Sequence, residues 1–160
     1  MKKLIYWVFP ILWMGVIYYS SDQPYEKQDI KPLLSQYIDI SFLDVILQPI
    51  AFSYHQSIVS VEQLGVEGVV EFFIRKGAHV GVFCMLCGLF YLAYRKTWQN
   101  KNVTLLTFFA FFTTLLYAVF DEWHQGLTPN RTPYTGDVVL DGIGALIALF
   151  VILLVNKLRK

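Results

Sequence analysis

Polar residues are nearly absent from four stretches of this chain, roughly 4–20, 77–94, 103–120 and 138–155. Each has about the length that a helix needs to cross a bilayer, roughly 17–25 residues. The segment of about 20–66 between the first two is too long for a simple connector. Its own pattern is helical. Leu33, Leu34, Tyr37 and Ile38 share one face, and Phe42, Leu43, Ile46, Leu47 and Ile50 continue it, with Gln36, Asp39 and Asp44 between them. Apolar positions three and four apart predict short amphipathic helices lying on the membrane surface or capping the bundle. Ser60 followed by Gln63 resembles a capping box, and the second apolar helix is expected to start outside the bilayer near Val66 or Glu67. The expected fold is an all-α membrane protein: a four-helix transmembrane bundle with amphipathic helices in a long first outer loop, forming a single domain over 1–160.

Within the first helix, Pro10 removes one backbone donor, which neighbouring helices can compensate in a membrane. Gly142 and Gly144, early in the last helix, would let another helix approach closely. The N-terminal run follows Lys2 and Lys3 but exits into Tyr18-Tyr19-Ser20-Ser21 without a small-residue cleavage site, so it reads as a retained helix. At 56% hydrophobic and 17% aromatic residues, the composition is too apolar for a soluble domain of 160 residues.

Net charge is +1, but the sum hides an asymmetry. All twelve acidic residues fall in two of the intervening loops or at their edges. The third loop and both termini hold eight basic residues and no acid: Lys2, Lys3, Arg95, Lys96, Lys101, Lys157, Arg159 and Lys160. Short basic segments stay cytoplasmic, so both ends are expected inside and the ionisable residues at the outer face of the membrane. The basic residues form no patch with interleaved aromatics, which argues against nucleic acid. They suit membrane lipids instead. Cys84 and Cys87, one helical turn apart within an apolar helix, read as small packing residues rather than a redox pair.

Three helix ends converge at the outer level. The second helix brings Arg75, Lys76 and His79, the third ends in Asp121, Glu122, Trp123, His124 and Gln125, and the fourth begins with Asp137 and Asp141. Arg131 lies in the loop between the last two. Mixed charges at a membrane edge must compensate one another, so Lys76, His79, Asp121, Glu122, Gln125, Arg131, Asp137 and Asp141 are expected to form one polar network lining a pocket. Arg75 is instead assigned to an exposed pair with Glu71, Trp123 and His124 to the interface, and His55 to the surface.

With these residues in place, the chain resembles the VanZ-like family of small bacterial membrane proteins. The resemblance is carried by Ser20-Ser21-Asp22-Gln23-Pro24 and Arg75-Lys76-Gly77-Ala78-His79. It continues in Phe120-Asp121-Glu122-Trp123-His124-Gln125, Arg131, and Asp137-Val138-Val139-Leu140-Asp141-Gly142-Ile143-Gly144. The family's polar pattern maps onto Lys76, His79, Asp121, Glu122, Gln125, Arg131 and Asp137. At position 141 the family often has Asn where this chain has Asp141. The resemblance implies an integral cell-membrane protein, with one lineage associated with resistance to the glycopeptide teicoplanin.

Several uses of such a cluster stand side by side. A binding or transport site would hold an anionic envelope lipid, precursor or antibiotic, with Arg131 bidentate and Lys76 as a point charge. Transport through four helices would call for a homo-oligomer. An enzyme would act on a lipid phosphate or pyrophosphate, with His79 as base or nucleophile oriented by Asp121 or Glu122. A scaffold would use the charges only to hold the helices. No metal is assigned, since HExxH is absent and Glu122 and His124, two apart, face different ways. No cofactor is assigned either. The charge pattern also fixes an expected topology. In a background without native cysteines, Gln99→Cys and a C-terminal cysteine should both resist an impermeant thiol reagent in intact cells. Labelling of either from outside would overturn the assignment.

Overall fold

The computed structural model describes residues 3–37, 39–55, 57–128 and 132–159, with only the backbone for Tyr25 and Glu26. Lys2, Ile38, Arg131 and Lys160 lie outside the described residues. In chain order the elements are α1 (Ile5–Ser21), α2 (Tyr25–Gln28), α3 (Lys31–Tyr37), a 3-10 turn (Ser41–Leu43), α4 (Asp44–Leu47), β1 (Ala51–Tyr54), β2 (Ser57–Ser60), α5 (Val61–Thr97), α6 (Val103–Gln125) and α7 (Thr135–Leu158). They fall into two compact units, Met1–Gln23 with His79–Lys160, and Pro24–Ala78.

The first unit contains α1, the later part of α5, α6 and α7. Helices α5, α6 and α7 are long and apolar enough to cross a membrane, while α1, at 17 residues, is shorter. Large apolar side chains stand exposed on them, among them Leu116, Phe150 and Leu154, an arrangement that water would penalise and lipid accepts. The core lies between the helices and consists of Ile17, Phe83, Leu86, Cys87, Phe90, Ala110, Tyr117, Ala118, Ala145 and Ala148. Cys84 and Cys87 are both free thiols in or against this core. Hydroxyls inside the apolar helices return to their own backbone: Thr107, Thr113 and Thr114 each donate to the carbonyl four residues back, at 2.8 Å.

Two helices approach closely at Gly144. A Cβ there would overlap the carbonyl oxygen of Val80 and would sit 3.1 Å from the Cys84 nitrogen. The backbones of α5 and α7 therefore touch, as the small residues of α7 led one to expect. Helix α1 is tied to its neighbours by aromatic side chains with polar tips. Trp13 Nε1 donates to the Val82 carbonyl at 3.0 Å, Trp7 Nε1 to Thr97 Oγ1 at 3.0 Å, and Tyr117 Oη to the Met14 carbonyl at 2.6 Å. Helix α6 is capped by Asn102, whose side chain accepts the Thr104 N–H at 2.8 Å. It runs on to Gln125, beyond the end near residue 120 expected from hydropathy. The polar residues Asp121 to Gln125 thus belong to its last turns. They continue the helix because their side chains find partners within the protein.

The second unit holds the short helices α2, α3 and α4, the hairpin β1–β2 and the start of α5. The hairpin is a feature that the helical reading of this segment did not anticipate. Ala51 pairs with Ser60 and Tyr54 with Ser57, leaving a two-residue turn. His55, the exposed first residue of that turn, has φ of +55°, the left-handed geometry that hairpin turns require. The turn carries no Asn-Gly or Asp-Gly signal, and Phe52, Tyr54, Ile58 and Val59 supply the strand preference. Asp39 accepts the Ser41 hydroxyl at 2.6 Å and its N–H at 3.0 Å, and these bonds hold its carboxyl below the usual range. Ser60 Oγ accepts the Gln63 N–H at 3.3 Å, so the expected cap is present. Gly65 then breaks the helix with φ of 71° and ψ of 171°, and regular helix resumes at Val66.

The contact at Gly144 gives a stability test. Gly144→Ala should lower unfolding stability in detergent by about 1–3 kcal/mol through overpacking. Gly81→Ala, whose Cβ would meet nothing within 4 Å, should not lower it. Equal stability of the two variants would contradict the close approach.

Candidate functional site

Apart from Thr107 and Thr114, the buried polar residues described in the first unit gather around the end of α1, the end of α6 and the start of α7. Asp121 and Glu122 are adjacent on α6, so their side chains diverge by about 100° around the helix. Asp121 turns to α1. Its Oδ1 accepts the Ser21 hydroxyl at 2.7 Å, and its Oδ2 accepts the Gln125 amide at 2.9 Å, one turn along the same helix. Both oxygens of this buried carboxylate are therefore satisfied. Thr128 adds a second link to α1, donating to the Ser21 carbonyl at 3.3 Å.

Glu122 turns to the segment before α7, where its Oε1 accepts the Tyr134 N–H. Its Oε2 is buried and, among the described residues, has no hydrogen-bond partner. Asp141 is fully buried, and its Oδ1 meets His79 Nδ1 at 2.9 Å. Its Oδ2 is likewise buried and without a partner. The His79 side chain remains about a quarter exposed. Glu122 lies close enough to His79, Asp137 and Asp141 to feel their charges, and Asp141 close enough to feel those of Asp121 and Asp137. The structure thus brings His79, Asp121, Glu122, Gln125, Asp137 and Asp141 into one neighbourhood.

The pairing differs from expectation in one respect. The carboxylate that bonds to His79 is Asp141, not Asp121 or Glu122. The cause lies one helical turn away. The backbone contact of Gly144 with Val80 sets α7 against α5 in the register that places Asp141 opposite His79. An acid at this position consequently has a direct ionisable partner.

The remaining assignments are distributed as follows. Lys76 belongs to the second unit, where its ammonium lies 4.5 Å from the centre of the Tyr54 ring, a cation–π distance, and 5.7 Å from that of Phe72. Arg75 Nη1 is 3.6 Å from Glu71 Oε1, as its spacing suggested, but Glu71 is buried, so this is not the fully exposed pair expected. Asp137 is half-buried in the first turn of α7, its N–H donating to the Tyr134 carbonyl at 2.8 Å. Arg131 lies outside the described residues. Among the described residues, no three His, Cys, Asp or Glu side chains converge to hold a metal ion.

Trp123 and His124 separate. Trp123 is 61% exposed, as an interfacial residue should be, whereas His124 is buried. The His124 ring stacks on Tyr18 with centroids 4.1 Å apart, and its Nε2 is 3.9 Å from Asp22 Oδ1. Sequence reasoning missed His124, Ser21, Thr128 and the Tyr134 N–H as parts of this cluster. The available signal was the pair Ser20-Ser21 closing an apolar helix, which was read as a membrane exit.

Residues 6–156 match the VanZ/LLP1 family. The chain belongs to that family. No curated protein and no solved structure matches it. Membership and the three long apolar helices make this VanZ/LLP1 chain a membrane protein. The matched region contains every residue of the cluster just described.

The pairing across α5 and α7 can be tested by a double-mutant cycle on this VanZ/LLP1 protein. His79→Ala and Asp141→Ala should be non-additive in unfolding stability, with a coupling of about 1–3 kcal/mol. Additivity within about 0.5 kcal/mol would show that the two side chains do not act together.

Proposed function

We propose that this VanZ/LLP1 protein is a single membrane domain whose polar cluster binds the headgroup of an envelope amphiphile. The ligand class is an anionic lipid, a precursor or a glycopeptide of the teicoplanin type, and the binding is linked to glycopeptide resistance. In this reading α1 also spans. Its 17 residues give a rod of about 25 Å, at the lower limit for crossing with its flanking residues. Both termini then lie inside, in keeping with the basic residues there, and the cluster faces outward.

One observation carries the proposal: Glu122 Oε2 and Asp141 Oδ2 are buried carboxylate oxygens with no donor. A buried polar atom left unsatisfied costs about 1–3 kcal/mol, and more when charged. Retaining two such atoms is reasonable where a ligand supplies the missing donors. Arg131, the cation that the sequence assigns to an anionic portion of the ligand, lies outside the described residues.

A second reading is favoured by the bond between His79 and Asp141. A carboxylate on Nδ1 fixes the tautomer and makes Nε2 the basic nitrogen, the arrangement that a general base or nucleophile needs. In that reading the protein is an enzyme acting on a lipid phosphate or pyrophosphate.

Native mass spectrometry of gently purified protein, with added teicoplanin or a polyprenyl phosphate, tests both. The wild type should carry an amphiphile adduct that Asp141→Ala loses by about tenfold or more, while Trp98→Ala, just beyond the C-terminal end of α5, keeps it. An unliganded wild type under all conditions would overturn the binding proposal. Release of inorganic phosphate from polyprenyl pyrophosphate by wild type and not by His79→Ala would establish the enzyme instead.

A further inference from the structure

In the second unit, the 3-10 turn and α4 make one short helical stretch over residues 41–47, and it has three sides instead of two. Leu47 is buried, and Leu43, four residues back on the same side, is half-buried. Ser41, Asp44 and Gln48 form a polar side, on which Asp44 Oδ1 accepts the Gln48 amide at 3.4 Å. Phe42, Val45 and Ile46, three and four apart, form the third side and are 67%, 81% and 62% exposed. A helix on a unit surrounded by water needs one side for the core and one for water. An apolar side turned away from the core, with three large residues together, marks an interaction surface.

The partner follows from how the chain holds this unit. The unit includes the start of α5, and from Val66 onward α5 is regular helix that continues into a segment apolar enough to cross a bilayer. From Val66 to Thr97 that rod is about 48 Å long, against about 30 Å of hydrocarbon. The surplus of about 20 Å is the farthest that the start of α5 can stand from the hydrocarbon, and the headgroup layer takes up part of it. A bilayer is therefore an apolar phase within reach of this unit. Charge does not draw the unit there. Residues 24–78 hold seven acidic and four basic residues, a balance that anionic headgroups repel.

We propose that Phe42, Val45 and Ile46 enter the lipid of the leaflet at this end of α5. The stretch 41–47 then lies in the interface with one side on protein, one in lipid and one in water. The contact is with acyl chains and asks for no particular headgroup.

The test puts a nitroxide on one cysteine at a time in full-length protein, with Cys84 and Cys87 replaced by alanine, in phosphatidylcholine vesicles. Collision with oxygen reports lipid, and collision with a nickel chelate reports water. Oxygen access should exceed chelate access severalfold at Phe42→Cys, Val45→Cys and Ile46→Cys, with the ratio reversed at Ser41→Cys and Gln48→Cys. Chelate access at all five positions would overturn the proposal by leaving the face in water. Exclusion of both reagents at 42, 45 and 46 would overturn it by giving the face to protein. That protein is a second copy of the chain if dilution into excess lipid restores access, and the chain's own helices if it does not. Exchange of phosphatidylcholine for phosphatidylglycerol should leave the pattern unchanged, and immersion in the anionic lipid alone would overturn the apolar assignment. Cys87 lies in the core, so a second measurement keeps the native sequence. A lipid with a photoactivatable acyl chain should leave adducts on Phe42, Val45 or Ile46 of the wild type. Adducts on α6 and α7 with none on these three would overturn the proposal. Each outcome leaves amphiphile binding at the polar cluster to its own test.

Discussion

The cluster depends on the contact of two backbones. Where Gly144 meets Val80, no side chain separates α7 from α5. Only at that spacing can a short aspartate side chain on one helix reach an imidazole on the other. Asp141 is fully enclosed, so without His79 it would be an unpaired buried carboxyl. Removing one partner of a buried pair typically costs about 3–5 kcal/mol. The glycine is thus an electrostatic requirement as much as a packing one, because it fixes the distance at which the charge is compensated.

Neighbouring acids in the same cluster serve different ends. Asp121 bonds to α1 through Ser21 and to its own helix through Gln125, and nothing about it is left open. It reads as a fastening. Glu122, the next residue, and Asp141, on another helix, each spend one oxygen on the protein and hold the other in reserve. A protein that needed these acids only for structure would gain by completing them or by replacing them with apolar residues, which are often as stable in a buried site. In the proposed reading, the difference between a satisfied and a half-satisfied carboxylate separates structure from binding more sharply than residue type does.

Much of this was legible in the chain. Hydropathy located the helices and charge gathered the acids near their ends, because bilayer thickness and desolvation act on composition directly. The small residues of α7 announced the close approach. Three things were not legible. The partner of His79 depends on helix register, which one chain's periodicity does not fix when two or three acids lie at similar levels. The burial of His124 depends on Tyr18, which is remote in sequence and meets it only through packing. The hairpin at 51–60 rests on pairing between strands of four residues, too short for alternation to stand out from the helical spacing around it.

The ties on α1 bear on how the protein is made. This helix leaves the ribosome before α6, yet Ser21 bonds to a residue 100 positions later, and the Met14 carbonyl to one 103 positions later. At roughly 5–20 residues per second, α1 waits about 5–20 s for the helix that completes its polar groups. During that interval Ser21 and the free carbonyls need water, lipid headgroups or an insertion partner. Helix α1 is consequently fixed only after α6 has been made. The polar cluster is complete only once α7 has followed and brought Asp141 to His79.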